Sequence, residues 1–319
     1  MNDSYEIVVP LARRNVDFFT AYVVPMMRKN LSPKKIVVIG AAALETKIVS
    51  AGCDFIDEDK LNGHMTLASL QKKLSAKGAK PERAGWYFQQ FLKLEYARHT
   101  DSKYYLVWDS DTIPLRNISF FDGNGGIFYY AKDEFHRPYF DTIRTLFGGR
   151  VGKMIPDSFI AEHMMIDSAL MMEMLDDIER NSPVDGKYFF DRILNAVAPR
   201  SLSGSGFSEF ETFGNWVLCR GGEYRNRKLA SLREGALFLG THPTEKVMAR
   251  CALSYDIVSV ENAAGFKKIL CHAVSRCTNL LMLIGVPLPK IVAPYHRLKR
   301  IYYRRVKKKD RFFTAPQKD

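Results

Sequence analysis

The stretch YYLVWDSDTIPL, Tyr104 to Leu115, decides how the rest of the chain is read. Tyr104 to Trp108 is an unbroken apolar and aromatic run, the pattern of a strand covered on both faces. It ends in two carboxylates one residue apart, Asp109 and Asp111. Residues i and i+2 of a strand point to the same side, so if the strand persists the pair repels itself. A divalent cation relieves that repulsion, which makes the strand end a candidate metal site. The competing reading is a solvated Asp- and Ser-rich turn closed by Pro114.

Upstream, strand and helix patterns alternate. YEIVVPLA (5–12) reads as a strand and VDFFTAYVVPMMRKN (16–30) as a helix with Pro25 inside it. KKIVVIG (34–40) is a second strand, LETKIVSAG (44–52) a helix closed by Gly52, and DFIDED (54–59) a short third strand. WYFQQFLKLEYARHT (86–100) carries apolar residues at helical spacing and leads into the Tyr104 strand. This βαβαβ rhythm implies a mostly parallel sheet with helices on its faces. Ligands of such sheets bind beyond the carboxyl ends of the strands, where Asp109 and Asp111 fall.

Downstream, GGIFYYAKD reads as a strand, PYFDTIRTLFG as a helix, and FIAEHMMIDSALMMEMLDDIER as a strand running into a helix. Met164, Met165, Met171, Met172 and Met174 are most simply core filler. SGSGFSEFETFGNWV begins in Gly and Ser and ends as an aromatic-rich helix. There is no internal repeat, P-loop or GxGxxG motif.

At 319 residues and 46% hydrophobic content the chain can bury a large core. Its five cysteines are scattered without a CxxC pair, against a disulfide framework or zinc site and in keeping with a reducing compartment. The first residues lack the pattern of a secretory signal, which points to the cytoplasm. The formal charge is +12, of which residues 297–319 carry a net +8. No zinc finger or RNP-type signature accompanies that basic end, so a nucleic-acid partner is not expected.

VWDSDTIPL, preceded by the GWYFQQFLKL helix and followed by FIAEHMMID and FSEFETFGNWV, resembles the GT-A type of nucleotide-sugar glycosyltransferase. More narrowly, it is similar to a bacterial group associated with surface-polysaccharide or lipopolysaccharide synthesis. The resemblance covers roughly residues 5–245 and implies an α/β fold: a Rossmann-type, mixed, mostly parallel sheet flanked by helices. It implies a nucleotide-sugar-binding half over 1–125 ending in the DxD motif and an acceptor-side half over 126–250. Residues 251–319 are left as a helical and basic segment. The implied reaction is transfer of a sugar from a nucleotide-sugar donor to a glycan acceptor with Mn²⁺ or Mg²⁺, whose charge offsets that of the departing diphosphate. Asp111 is then the candidate for direct metal ligation, and Asp109 for contacts to the ribose or the metal. Pro10, Leu11, Ala12, Arg13 and Asp57 would cradle the nucleotide, with Trp86, Gln89 and Gln90 from the preceding helix. An inverting enzyme needs a base for the acceptor hydroxyl. Glu209 and Glu211 of SEFE are the candidates, Glu162 and His163 the competing pair, and His242 a third metal ligand or phosphate contact.

Two other classes stay open. Haloacid-dehalogenase phosphatases also place DxD after an apolar strand, but their pattern wants Thr or Val where this chain has Ile113. They also need a downstream acidic pair at a strand end, and Asp176–Asp177 lies in a helical pattern. A non-catalytic glycan-binding protein on a degenerate transferase fold is the third.

The C-terminal region suggests a membrane. Leu280 to Pro294 is apolar but short and broken by proline, and Arg297 to Arg311 interleaves Lys and Arg with Ile301, Tyr302, Tyr303 and Val306. That composition is expected of an interfacial segment on the anionic inner face of the cell membrane, where a lipid-linked glycan acceptor would be met. On this reading a chain ended near Pro287 keeps its nucleotide site.

Overall fold

A computed structural model describes residues 4–122, 124, 126–130, 134–223, 225–262 and 265–306, with the side chains of 302–306 not described. Its centre is a five-stranded sheet of β1 (Tyr5–Leu11), β2 (Ile36–Gly40), β3 (Asp54–Asp57), β4 (Tyr104–Trp108) and β6 (His163–Asp167), in the order β3-β2-β1-β4-β6. β1 to β4 are parallel, and β6 runs antiparallel to β4 with Trp108 opposite His163. The expected mixed, mostly parallel sheet flanked by helices is therefore present. A second sheet joins β5 (Thr112–Pro114), β8 (Ile257–Ser259) and β7 (Ser231–Leu232).

The apolar runs of β1 and β4 serve two cores. Tyr104, Leu106 and Trp108 face one core with Ile7, Val9 and Leu11, while Tyr105 and Val107 face the other with Val8. The strand period of two sorts consecutive side chains to opposite faces, which is why neither strand alternates with polar residues. The Tyr105 core is covered by the helices Leu67–Ala76, Ala84–Glu95, Arg137–Leu146, Ser168–Asn181, Phe189–Ala196 and Glu209–Cys219. The Trp108 core is covered by residues 16–31, the second sheet and the C-terminal helices Gly265–Leu283 and Leu288–Val306.

Local readings hold with informative differences. The first helical run accommodates Pro25 through a π-helical turn, Phe19–Val23, before Val24–Asn30 resumes α geometry. Proline has no N–H and crowds the carbonyl four residues back, and a wider turn relieves both. Gly52 closes the Glu45–Ser50 helix at φ +75°, as expected of a left-handed terminator. Met164, Met165, Met171 and Met174 are core residues, whereas Met172 is 40% exposed. GGIFYYAKD is not a strand over its described residues. Phe121–Ile127 and Tyr129–Asn226 make only isolated bridges, and 125 and 131–133 lie outside the described residues.

The C-terminal region is bound into the body. A division at 250/251 falls within the Glu245–Cys251 helix, and β8 beyond it pairs with β5, the strand that follows the DxD motif. Cys251, Val258, Cys271, Met282, Leu288 and Val292 share the core of β1 and β4. Leu280 to Pro294 is the end of one helix, a turn at Gly285 with φ +89°, and the start of the next. Of the basic stretch Arg297–Arg311, residues 307–311 lie outside the described residues.

Candidate active site

β4 does not continue through the Asp pair. It ends at Trp108, and Asp109 to Thr112 forms a tight turn in which the Thr112 N–H donates to the Asp109 carbonyl at 3.1 Å. The indole N–H of buried Trp108 donates to the Thr112 carbonyl at 2.7 Å, and the Asp109 N–H donates to the Glu162 carbonyl at 2.9 Å. Asn15, just past β1, donates to the Ser110 hydroxyl at 3.1 Å. The motif is thus the hinge by which the chain passes from the central sheet into the second sheet. A turn, rather than strand alternation, brings the two carboxylates together.

Beyond this turn lies a cavity of about 610 Å³ lined with charge: Asp109, Asp111, Glu162, Glu234 and Glu261 against Arg233, Lys267 and Lys299. The cations are paired. Arg233 Nε donates to Glu162 at 2.7 Å and its guanidinium also meets Glu134; Lys267 Nζ is 3.1 Å from Glu261; Lys299 binds Glu234, which also has His296 Nε2 at 3.1 Å. Burial would lower the Arg233 pKa, but Glu162 and Glu134 hold it above its ordinary value. Burial would raise the Glu234 carboxyl, and Lys299 and His296 bring it below. Asp111 differs. Burial first, then the carboxylates of Asp109, Glu261 and Glu162, push its pKa up to about 7.

Behind Asp109 is a buried ion triple that the sequence reading missed. Lys93 Nζ lies 2.9 Å from Asp109 Oδ1 and 2.8 Å from Glu209 Oε1, with its side chain 4% exposed. Burial would lower the ammonium's pKa, but the two carboxylates outweigh burial and raise it. A lysine between Leu92 and Leu94, on a helix whose neighbouring turns are core, was the available signal.

The other expected site residues are distributed as follows. Glu209 is in this triple, and its N–H donates to Gln90 Oε1 at 3.2 Å, while Gln90 Nε2 donates to the Trp86 carbonyl at 3.1 Å. Glu211 is fully buried and accepts from Ser158 Oγ at 2.6 Å, the Phe159 N–H at 3.2 Å and Asn215 Nδ2 at 3.0 Å. Burial raises its pKa against those partners and Lys153. His163 is buried, stacked on Trp108 at 4.8 Å between ring centroids and packed near Tyr130 and Phe120. His242 is exposed, with Nδ1 3.1 Å from Thr241 Oγ1 and its ring beside Tyr22. Pro10 and Leu11 are buried in β1, while Ala12 and Arg13 are exposed beyond it. Asp57 caps the short helix after β3 by accepting from the Asp59 N–H at 3.2 Å. Trp86 lies under the Arg83 guanidinium at 3.9 Å, and Gln89 is exposed. Of the residues expected from sequence, the cavity lining includes Asp109, Asp111 and Glu162. Arg233, Glu234, Glu261 and Lys267 enter the site from segments that carry no motif.

The donor set suits a hard divalent cation in one specific sense. Among the described residues no three His, Cys, Asp or Glu side chains are grouped to hold a metal by themselves, so His242 does not join the Asp pair. Mg²⁺-type sites commonly use one or two carboxylates and complete the shell with water and substrate phosphate. Asp111, with carboxylate neighbours that raise its proton affinity, fits such a site.

No curated protein matches the sequence. Among solved structures, the fold is distantly similar to mouse xyloside xylosyltransferase 1 in apo form, at 12% identity and TM-score 0.38, covering 82% of this chain and 98% of that one. It is similar to the galactosyltransferase LgtC in complex with donor and acceptor sugar analogs, at 11% identity and TM-score 0.39, covering 86% and 95%. Glucosyl-3-phosphoglycerate synthase from Mycobacterium tuberculosis, in complex with Mn²⁺, UDP and phosphoglyceric acid, matches at 11% identity and TM-score 0.33, covering 90% and 80%. Residues 38–217 match the profile of a family described as of unknown function, DUF6492, and the chain belongs to that family.

Proposed function

We propose that this protein is a metal-dependent glycosyltransferase of the GT-A type, moving a sugar from a nucleoside-diphosphate sugar to a glycan acceptor. The observation that carries this reading is the cavity at the DxD turn, where five carboxylates face three cations and Asp111 is surrounded by carboxylates. A ligand that brings both phosphate oxygens and a divalent cation satisfies such a wall better than an anion or a cation alone. Bound there, the cation supplies charge neutralisation for the departing diphosphate.

The chain's own groups divide the remaining work. Asp111, and Asp109 on its turn, would hold the cation. Lys93, behind Asp109, fixes that carboxylate in place. Arg233 and Lys267, paired here with Glu162 and Glu261, are the cavity cations that would turn to the diphosphate. Glu209 has its Oε1 taken by Lys93, and Glu211 is occupied by Ser158, the Phe159 N–H and Asn215. Glu162 is itself paired with Arg233, but it lines the cavity and Glu209 and Glu211 are not among its lining residues, so we assign the proton-accepting role of an inverting reaction to Glu162 and leave Glu209 and Glu211 as structural acids. The acceptor is read as a glycan or lipid-linked glycan, in keeping with the resemblance to surface-polysaccharide enzymes.

Isothermal titration of nucleoside diphosphates with and without Mn²⁺ tests the reading. The wild-type protein is expected to bind at least one nucleotide more tightly with Mn²⁺, and Asp111→Asn to lose that increment while still folding. Absence of any metal-dependent increment across the common nucleotides overturns it.

A further inference from the structure

The Gly265–Leu283 helix buries one face and leaves an apolar one exposed. One face, Cys271, Ser275, Thr278 and Met282, is buried against the body. The other carries Phe266, Ile269, Leu270, Leu280, Leu281 and Ile284, which are 39–80% exposed. These recur at three- and four-residue spacing through Ala273 and Cys277, so they form one stripe along the whole helix. Beside the stripe an open apolar groove of about 320 Å³ runs between Phe238, Val274, Leu281 and Ile291. An exposed apolar band of this length marks an interaction surface.

The charge around it selects the partner. From Gly265 to Val306 the chain has nine Lys or Arg and no Asp or Glu. Lys268 and Arg276 lie on the same flank of the stripe by helical spacing, and Lys290, Arg297 and Arg300 follow on the next helix. No described helix is long and apolar enough to cross a membrane. A helix of 19 residues is about 28 Å long, enough to lie in an interface with its apolar face down and its cations at the headgroups.

We infer that the outer face of the Gly265–Leu283 helix, with the turn at Leu283–Ile284, is a docking surface for an anionic lipid bilayer. Attachment then rests on a folded helix packed against the body, with the basic residues that follow adding attraction. The same helix supplies Lys267 to the cavity, so docking sets the candidate active site close to the lipid surface. The inference is independent of the transferase reading, because binding to lipid can be measured with no nucleotide present.

The test is co-sedimentation of the full chain with phosphatidylcholine vesicles, with and without phosphatidylglycerol, at low and high salt. Wild type is expected to sediment with the anionic vesicles and to be partly released by salt. Leu280→Glu/Ile284→Glu is expected to bind about tenfold more weakly or worse, since two apolar contacts are replaced by charges of the wrong sign. Lys268→Glu/Arg276→Glu is expected to lose the preference for anionic lipid. Circular dichroism and thermal melting check that both variants fold. The inference is overturned if wild type stays in the supernatant, or if the Leu280/Ile284 variant sediments like wild type, which would leave attachment to the basic tail alone. A concentration-dependent dimer that this variant abolishes, without vesicle binding by wild type, would overturn it in favour of a second copy as the occupant.

Discussion

At the scale of the residue, Asp111 and Lys93 are the two side chains whose electrostatics can be read without knowing the substrate. Burial and the neighbouring carboxylates push the Asp111 carboxyl up to about 7 in the folded protein, against about 3.9 for an ordinary Asp. Between those values the folded state holds a proton that the unfolded chain has released, so this group's contribution to stability falls as pH rises through that window. Asp111→Asn is therefore expected to melt higher than wild type at pH 8 without metal, with the gap shrinking towards pH 4. Mn²⁺ with a nucleotide should raise the wild-type melting temperature and leave the variant's unchanged. Equal melting temperatures at pH 8 would show that the carboxylate is not under strain. For Lys93, removing the ammonium leaves Glu209 buried and Asp109 without its inner partner. Breaking a buried pair in this way costs about 3–5 kcal/mol, whereas replacing both members by apolar groups costs far less. Lys93→Met should accordingly lose most of that amount in chemical denaturation, and Lys93→Met/Glu209→Leu should recover much of it.

At the scale of the element, the Glu209–Cys219 helix positions the segment that delivers Glu162. Its N-cap Ser208 accepts from the Glu211 N–H at 3.3 Å, and the Glu211 carboxylate holds Ser158 and the Phe159 N–H at the start of the run into β6. Gly214 faces the Phe159 ring, and a Cβ there would come within 2.6 Å of it. Gly214→Ala must push Phe159 aside, at an expected cost of about 1–3 kcal/mol. Because the displaced segment continues to Glu162, the variant should lose nucleotide-dependent activity beyond its loss of stability. Trimming the ring with Phe159→Leu in the same chain should return part of both. If Gly214→Ala melts as wild type does, the helix and the β6 approach are not closely packed.

At the scale of the molecule, the C-terminal helices share one of the two cores with the body. Leu288 and Val292 are buried with residues of β1 and β4, and Lys299 and His296 reach Glu234 on the cavity wall. Ending the chain near Pro287 removes these groups together. Such a chain is expected to melt well below the full-length protein and to bind nucleotide with Mn²⁺ more weakly, by thermal shift and titration. This reverses the expectation from composition, where the basic end looked dispensable to the nucleotide site. Retention of full nucleotide affinity by the shortened protein would return the C-terminal helices to a peripheral role.

Much of the fold was legible because it depends on local pattern. The apolar runs of β1 after Glu6, of β2 and of β4, the helical spacing of residues 86–95 and the carboxylates at the end of β4 point to a parallel sheet with its site beyond the strand ends. Even the strand into helix over 163–181 follows from the change of period after Asp167, whose side chain accepts from the N–H groups of Ala169 and Leu170. The pairings that depend on distance in sequence were not legible. Lys93 with Glu209 and Arg233 with Glu162 each join residues more than seventy positions apart, with no spacing rule to link them. The turn at Asp109 to Thr112 exists because β5 finds β8, nearly 150 residues later. Periodicity and propensity act over one or two turns of chain and so could specify the elements and the candidate metal carboxylates. Which acids are neutralised, which cations line the cavity, and which apolar face is left uncovered are set by which elements pack together, and tertiary structure alone decided them.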